Sequence, residues 1–304
     1  MSRKTYRIGI AGLVHDHVWD LAPRFAKLPT CELVAAADVN EPLLEMARVR
    51  LGVPVVYADW REMLASEALD IVVVACENSG AADMVEAAAA RGVHALVEKP
   101  MAARLAQAER MLAASRAAGT RLMINWATAW CPNLIKAVEL VREGVIGQVF
   151  DVRVRMAHHG PKEIGCSEYF WGWLHDGEKN GAGAYMDYCC YGAAFCCHLL
   201  GRPAKVWGWR AQLVKDYPIP DDNGMIILFY DKAIARSEGS WCQIPDYHDM
   251  VILGSRGTLA TSKGTLLFST APGKAPENVE LPEMKEGFRS APEHMIHCLE
   301  RDLP

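Results

Sequence analysis

No stretch of this 304-residue chain approaches the ~20 consecutive apolar residues that a membrane-spanning helix needs. The start, Met1-Ser2-Arg3-Lys4-Thr5-Tyr6-Arg7, is basic, but the apolar run after it is short and broken by Gly9 and Gly12. That run reads as a strand, not a secretory leader. A basic stripe is lacking and the net charge is −5, which argues against nucleic acid as a partner. The ten cysteines lack the dense, regular spacing of a disulfide scaffold; their apolar neighbours suit reduced thiols in a cytoplasmic protein. Nor do Cys189-Cys190 and Cys196-Cys197-His198 make a zinc set. On one helix these groups are two turns, ~10 Å, apart, so core packing is the better reading and no metal is expected. Repeats, linkers and low-complexity tracts are also missing.

What is present is alternation. Half of the chain is apolar, enough for two cores. Up to about residue 122, strand-like runs (Arg7–Ala11, Glu32–Ala37, Val55–Tyr57, Asp70–Ala75, Val93–Val97) alternate with helix-like ones (Val18–Leu28, Glu41–Leu51, Ala81–Arg91, Met101–Ala118). Asp70–Ala75 is apolar on both faces, as a central parallel strand must be. This predicts a doubly wound parallel sheet over 1–122. From 123 to 304 the pattern changes. Pro132–Arg142 and Ala184–Leu200 read as helices, the latter stopped by Gly201. Phe150, Val152, Val154 and Met156 alternate with Asp151, Arg153 and Arg155, a strand with one buried face. Strand-like segments recur at 205–214, 225–230, 233–241, 249–253 and 265–269, spaced like an antiparallel meander. The fold class is therefore α/β: an N-terminal Rossmann sheet, then an α+β domain with an open, mainly antiparallel sheet, and a cleft between them.

Two features carry chemistry. Glu98-Lys99-Pro100 closes the strand Val93–Val97, so Lys99 stands at the carboxyl end of a parallel strand, where open α/β sheets bind ligands. The alternative is a surface lysine in a loop. The first strand leads into a turn opened by Gly12, but Val14 and His17 stand where a dinucleotide fingerprint has its second and third glycines. Asp38 ends the second strand, where an acid grips ribose hydroxyls and repels a 2′-phosphate; that favours NAD over NADP. It could equally cap the helix that follows.

The order of Ile8-Gly9-Ile10-Ala11-Gly12, Asp38, Gly92-Val93-His94-Ala95-Leu96-Val97-Glu98-Lys99-Pro100, Gly181-Ala182-Gly183-Ala184-Tyr185-Met186-Asp187, Tyr191, Leu199-Leu200-Gly201 and Leu253–Leu259 spans nearly the whole chain. It resembles the glucose–fructose oxidoreductase / inositol dehydrogenase (Gfo/Idh/MocA) family. The resemblance implies a Rossmann domain that carries NAD(P), and a second domain that supplies substrate groups and an oligomer surface. The implied reaction is reversible oxidation of a hydroxyl on a sugar or cyclic polyol. Gly12, Leu13, Val14, His17, Asp38, Cys76, Asn78, Glu98 and Lys99 would then line the cofactor. Departures are plain. Where many members have Thr-Pro-Asn, this chain has Cys76-Glu77-Asn78, and the family's aspartate-to-histidine spacing of four lands on Tyr191. Members usually continue beyond the point matching Pro304, which leaves a truncated terminus open.

Oxidising a secondary alcohol sends a hydride to the nicotinamide and a proton to a base. Tyr191 is read as that acid/base, with Lys99 lowering its pKa, and Asp187, one turn earlier, orients substrate or lysine. The plainer readings are a core ring for Tyr191 and a dipole-complementing acid for Asp187. His158 and His159 are alternative proton carriers, and His175 a weaker one. Asn125, Trp126, His159 and Trp171 are candidate substrate contacts, Trp171 from a loop-like aromatic stretch Tyr169–Trp173; exposed aromatics in loops favour binding. A homodimer or homotetramer is expected through the second sheet. Rival functions are a nucleotide-binding regulator that has lost the chemistry, and a glycoside-cleaving or epimerising enzyme with tightly held NAD.

Overall fold

The computed structural model describes residues 4–303; Met1, Ser2 and Arg3 of the basic start, and Pro304, lie outside the described residues. Six strands, β1 (Tyr6–Ala11), β2 (Cys31–Ala37), β3 (Val55–Tyr57), β4 (Ile71–Val74), β5 (His94–Glu98) and β6 (Leu122–Asn125), form one sheet in the order β3-β2-β1-β4-β5-β6. Every pairing in it is parallel. The helices α1 (Val18–Ala26), α2 (Glu41–Met46), α3 (Trp60–Ser66), α4 (Ala81–Ala89) and α5 (Leu105–Ala118) cover its faces. Strands buried on both faces need unbroken apolar sequence, and Ile71–Val74 supplies it. The strand order reverses between β1 and β4, so a crevice opens at their carboxyl ends.

Local details differ from the sequence reading. The run Glu41–Leu51 is α-helical only to Met46 and ends as a wider π turn, Ala47–Leu51. The helix expected from Met101 begins at Leu105. Helix α3 was not anticipated; Asp59 caps it by accepting from the Arg61 amide at 2.9 Å.

The second half holds α6 (Pro132–Arg142), β7 (Val149–Ala157), α7 (Glu168–Leu174), α8 (Gly177–Asn180), α9 (Ala184–Leu200), β8 (Lys205–Ala211), β9 (Asn223–Phe229), β10 (Ile234–Ser240), β11 (Tyr247–Gly254), β12 (Gly257–Ser262), β13 (Thr265–Ser269) and β14 (Glu277–Asn278). The eight strands are ordered β14-β13-β12-β11-β7-β10-β9-β8. This is not one meander. Two meanders flank β7, and β10 pairs with β7 in parallel, because the first strand of the domain takes the middle of the sheet. On β7 the alternation holds at Val152 and Val154, but Phe150 is exposed and Asp151 buried. Asp151 is drawn in by Arg153 (3.2 Å) and Arg236 (3.1 Å). Helix α9 lies across β7, β9 and β10, with Ser237 Oγ donating to the Cys189 carbonyl at 2.8 Å.

The last helix, α10 (Ala291–Arg301), returns to the first sheet. Ala291, Met295 and Ile296 join the core built by Tyr6, Ile8, Leu21 and Phe25.

Candidate active site

Lys99 follows β5 directly and its side chain is buried. The ammonium donates to Asp187 Oδ1 at 2.6 Å, and the indole of fully buried Trp241 donates to Asp187 Oδ2 at 3.0 Å. Asp187 lies in the first turn of α9, and Tyr191, one turn on, places its ring centroid 4.9 Å from the ammonium. Burial alone would discharge the lysine, but Asp187 and Tyr191 outweigh it and hold its pKa well above the usual range. Burial likewise disfavours the carboxylate, yet Lys99 outweighs it and the Asp187 pKa falls. The result is a desolvated ion pair just past the carboxyl end of β5.

Tyr191 departs from the expectation that Lys99 lowers its pKa. Burial raises it, and the opposing effect of Lys99 is smaller. Asp187 neutralises the ammonium at hydrogen-bond distance, and the ammonium faces the ring, not the hydroxyl. The ring also meets Trp126 edge-on at 5.8 Å.

Of the paired histidines, His158 is the one beside this group. Its ring abuts Tyr188 at 4.9 Å, and its Nδ1 accepts from the Gly160 amide at 2.9 Å. Burial lowers its pKa, so it is neutral with the proton on Nε2, a donor and not a base. Among the described residues His159 makes no hydrogen bond or ring contact with Lys99, Asp187 or Tyr191; its Nδ1 is buried without a hydrogen-bond partner. Trp171 is not in a loop. It belongs to α7, whose start Ser167 caps by accepting from the Phe170 amide. Among the described residues its ring contact toward the Lys99 group runs through His175 (5.5 Å), which in turn lies 5.7 Å from Trp241.

Gly12 (φ +84°) opens the turn after β1, and a Cβ there would lie 2.8 Å from the Cys76 backbone. Cys76 is thus the floor under the turn. Asp38 Oδ2 accepts from the Leu13 amide at 2.6 Å, and Oδ1 from Asn40 at 2.7 and 2.8 Å. The cap position of α2 is Asn40, so the alternative reading of Asp38 as that cap does not hold. Val14 and its neighbours are clasped by α7: Trp173 Nε1 donates to the Val14 carbonyl at 3.3 Å, and Ser167 donates twice to Asp16, at 2.6 and 2.7 Å. Asn78 bonds Asn180 at 2.8 Å, tying the loop after β4 to α8.

Sequence reasoning missed His15. Its buried ring sits 4.6 Å from both His17 and Phe170, and burial drives its pKa down to about 3, leaving it neutral. His17 Nδ1 lies 3.2 Å from Glu98 Oε2, while Asn125 donates to Glu98 Oε1 at 2.6 Å. Burial disfavours the charged Glu98, but the His17 hydrogen bond and both imidazoles outweigh it and hold its pKa at about 2. The legible signal was His-x-His in the turn with a glutamate at a neighbouring strand end.

The comparisons agree with this frame. Residues 6–126 match the oxidoreductase family model with an NAD-binding Rossmann fold, and residues 134–260 match the Gfo/Idh/MocA C-terminal domain. The chain belongs to the Gfo/Idh/MocA family of oxidoreductases. D-apiose dehydrogenase of Paraburkholderia graminis is 34% identical over 140 residues, 46% of this chain and 36% of that protein. D-xylose 1-dehydrogenase (NADP(+)) 2 of Haloferax volcanii is 27% identical over 210 residues, 69% of this chain and 62% of that protein. The aligned part therefore spans less than two thirds of these relatives' own length. Aldose-aldose oxidoreductase from Caulobacter crescentus, solved with glycerol, shares the fold: TM-score 0.83, 24% identity, over 99% of this chain and 91% of that one.

The residues present fit a dinucleotide at one end. Gly12 makes the tight turn that packs on Cys76, and Asp38 Oδ2, bonded once to the Leu13 amide, keeps a lone pair for a ribose hydroxyl, while Oδ1 is filled by Asn40. The phosphate-facing stretch is rebuilt, with Val14 and His17 in place of glycine.

Proposed function

We propose that this protein transfers a hydride between a hydroxyl-bearing carbon of a sugar or cyclic polyol and NAD. The observation that carries the reading is the buried Lys99–Asp187 pair under Tyr191, at the carboxyl end of β5. Bound in the crevice, NAD supplies the hydride acceptor or donor. Gly12, Leu13 and Asp38 would hold its adenosine half, with Asp38 favouring NAD over NADP. Lys99 stays charged and stabilises an alkoxide, the largest electrostatic demand of the step. Asp187 and Trp241 hold the ammonium in one place. In the reducing direction Tyr191, neutral with a raised pKa, gives its proton to the developing alkoxide and is then reprotonated from solvent; in the oxidising direction it acts only as the phenolate, after its own proton has left to solvent. Asn125 ends β6 and Trp126 follows it, beside this group, and they are the better placed of the candidate substrate contacts. The names of the two relatives favour an aldose. In this reading residues 4–125, completed by α10, hold the nucleotide, since β6 carries the first sheet past the boundary expected at 122, and the remainder holds the sugar. The exposed Trp207 and Trp209 on edge strand β8 serve as the surface where copies meet.

A second reading, a nucleotide-binding protein without turnover, is favoured by one observation: Val14 and His17 occupy glycine positions of the turn. Calorimetric titration with NAD, followed by a scan of aldoses and inositols for change in nicotinamide absorbance, separates the two. Turnover on any of them supports the first; binding with no turnover supports the second; neither binding nor turnover defeats both.

A further inference from the structure

We propose that His15, His17 and Glu98 form a binding site for one divalent transition-metal ion of the zinc class. Each offers a ligand atom, and the three lie within 4.8 Å of one another. Two imidazoles and one carboxylate are the donor set of open zinc sites, with further positions left for water or a bound molecule. Ligand atoms around one such ion lie roughly 3–4 Å apart, so closure needs only small side-chain movement.

Three observations make this more than a pair of neighbouring histidines. Glu98 is buried at 3% exposure, and the lysine next to it in sequence turns its charge to Asp187 instead. The Glu98 charge is met by His17 and Asn125, neither a permanent cation, and a divalent ion at this place would meet it in full. Asn125 pins Oε1 by donating at 2.6 Å, which leaves Oε2 facing His17, the outer-shell arrangement that orients a ligating carboxylate. On its outer side His17 faces solvent through a cavity of about 310 Å³ that it lines with Asn125, Asp20 and Trp130. On binding, His17 exchanges its hydrogen bond to Glu98 for the ion, and any proton on the imidazole leaves to solvent. The site would stand at the rebuilt turn, where the backbone has lost the glycines that approach phosphate. The inference does not rest on turnover or on NAD.

The test uses the full chain, stripped with a chelator and titrated with ZnCl2 against a chromophoric competitor, then loaded with Co2+ to read its visible spectrum. One equivalent of Zn2+ and a Co2+ spectrum of four- or five-coordination are expected. His17→Ala, at a half-exposed side chain that is safe for folding, should weaken binding at least tenfold, and Asn125→Ala about tenfold. Glu98→Gln should weaken it at least as much as His17→Ala. Cys197→Ser, at an exposed thiol, should change nothing. No uptake by the wild type, or equal uptake by the wild type, His17→Ala and Glu98→Gln, overturns the proposal.

Discussion

At Lys99 the proposed chemistry and the stability of the chain are joined in one side chain. Replacing it with Met strands Asp187 as an unpaired buried charge, a cost of about 3–5 kcal/mol. Thermal unfolding should therefore show Lys99→Met strongly destabilised, and Lys99→Met/Asp187→Asn restored toward the wild type. Turnover should stay absent in both, while calorimetry still shows NAD binding. Tyr191→Phe keeps the ring on the ammonium and removes only the proton; kcat should fall about 10²–10⁴-fold with little change in unfolding temperature. Equal kcat in Tyr191→Phe would assign the proton to another group. At this scale the sequence was informative: Lys99, Asp187 and Tyr191 do converge. What it could not show was the balance of burial against charge at Tyr191, which depends on Asp187 claiming the ammonium first. Nor could it separate His158 from His159, because adjacent residues at a strand end diverge by their backbone path.

Among the elements, the long apolar helix α9 is legible in the sequence, while the short α3 and the aromatic α7 are not, although both carry a side-chain cap. Ala184–Leu200 is bounded as the glycines on either side suggest. Tyr169–Trp173 looked like a loop because Gly172 and four rings obscure the period, although Ser167 is an ordinary cap. Two glycines give contrasting tests. A Cβ on Gly183 would sit 2.0 Å from the Asp221 carbonyl oxygen, a backbone clash with no escape, whereas nothing lies within 4 Å of one on Gly172. Gly183→Ala should lower the unfolding temperature by several degrees; Gly172→Ala, inside α7, should raise stability by about 0.5–1 kcal/mol. Asp222, at the start of the segment leading into β9, accepts from the amides of Leu213, Val214 and Lys215. Burial disfavours its charge, but those amides outweigh it and hold its pKa at about 2. A pKa below the unfolded value of about 3.9 means the unfolded chain binds the extra proton. This stabilisation is therefore complete above about pH 4 and is lost as pH falls toward 2. Unfolding followed from pH 6 to 2 should show a shallower acid limb for Asp222→Asn than for the wild type.

Over the whole molecule, the parallel sheet was legible because its buried strands are unbroken apolar runs. The second sheet was only half legible: strand positions follow from alternation, but the parallel pairing of β7 with β10 is a long-range choice that no local pattern encodes. Beside the apolar packing of α7 on the first half, specific polar contacts join the halves, Asn78 with Asn180 and Asp16 with Ser167. Asn78→Ala should speed hydrogen exchange in 177–183 and leave the strands of both sheets unchanged; no local change would mean the apolar contacts of α7 suffice.

The return of α10 to the first sheet sets the order of biosynthesis. A ribosome releases β1 through β6 long before the helix that closes their hydrophobic layer at Ala291, Met295 and Ile296. The nascent nucleotide half must therefore wait, partly uncovered, while the other half is translated, and that interval is when chaperones would find it.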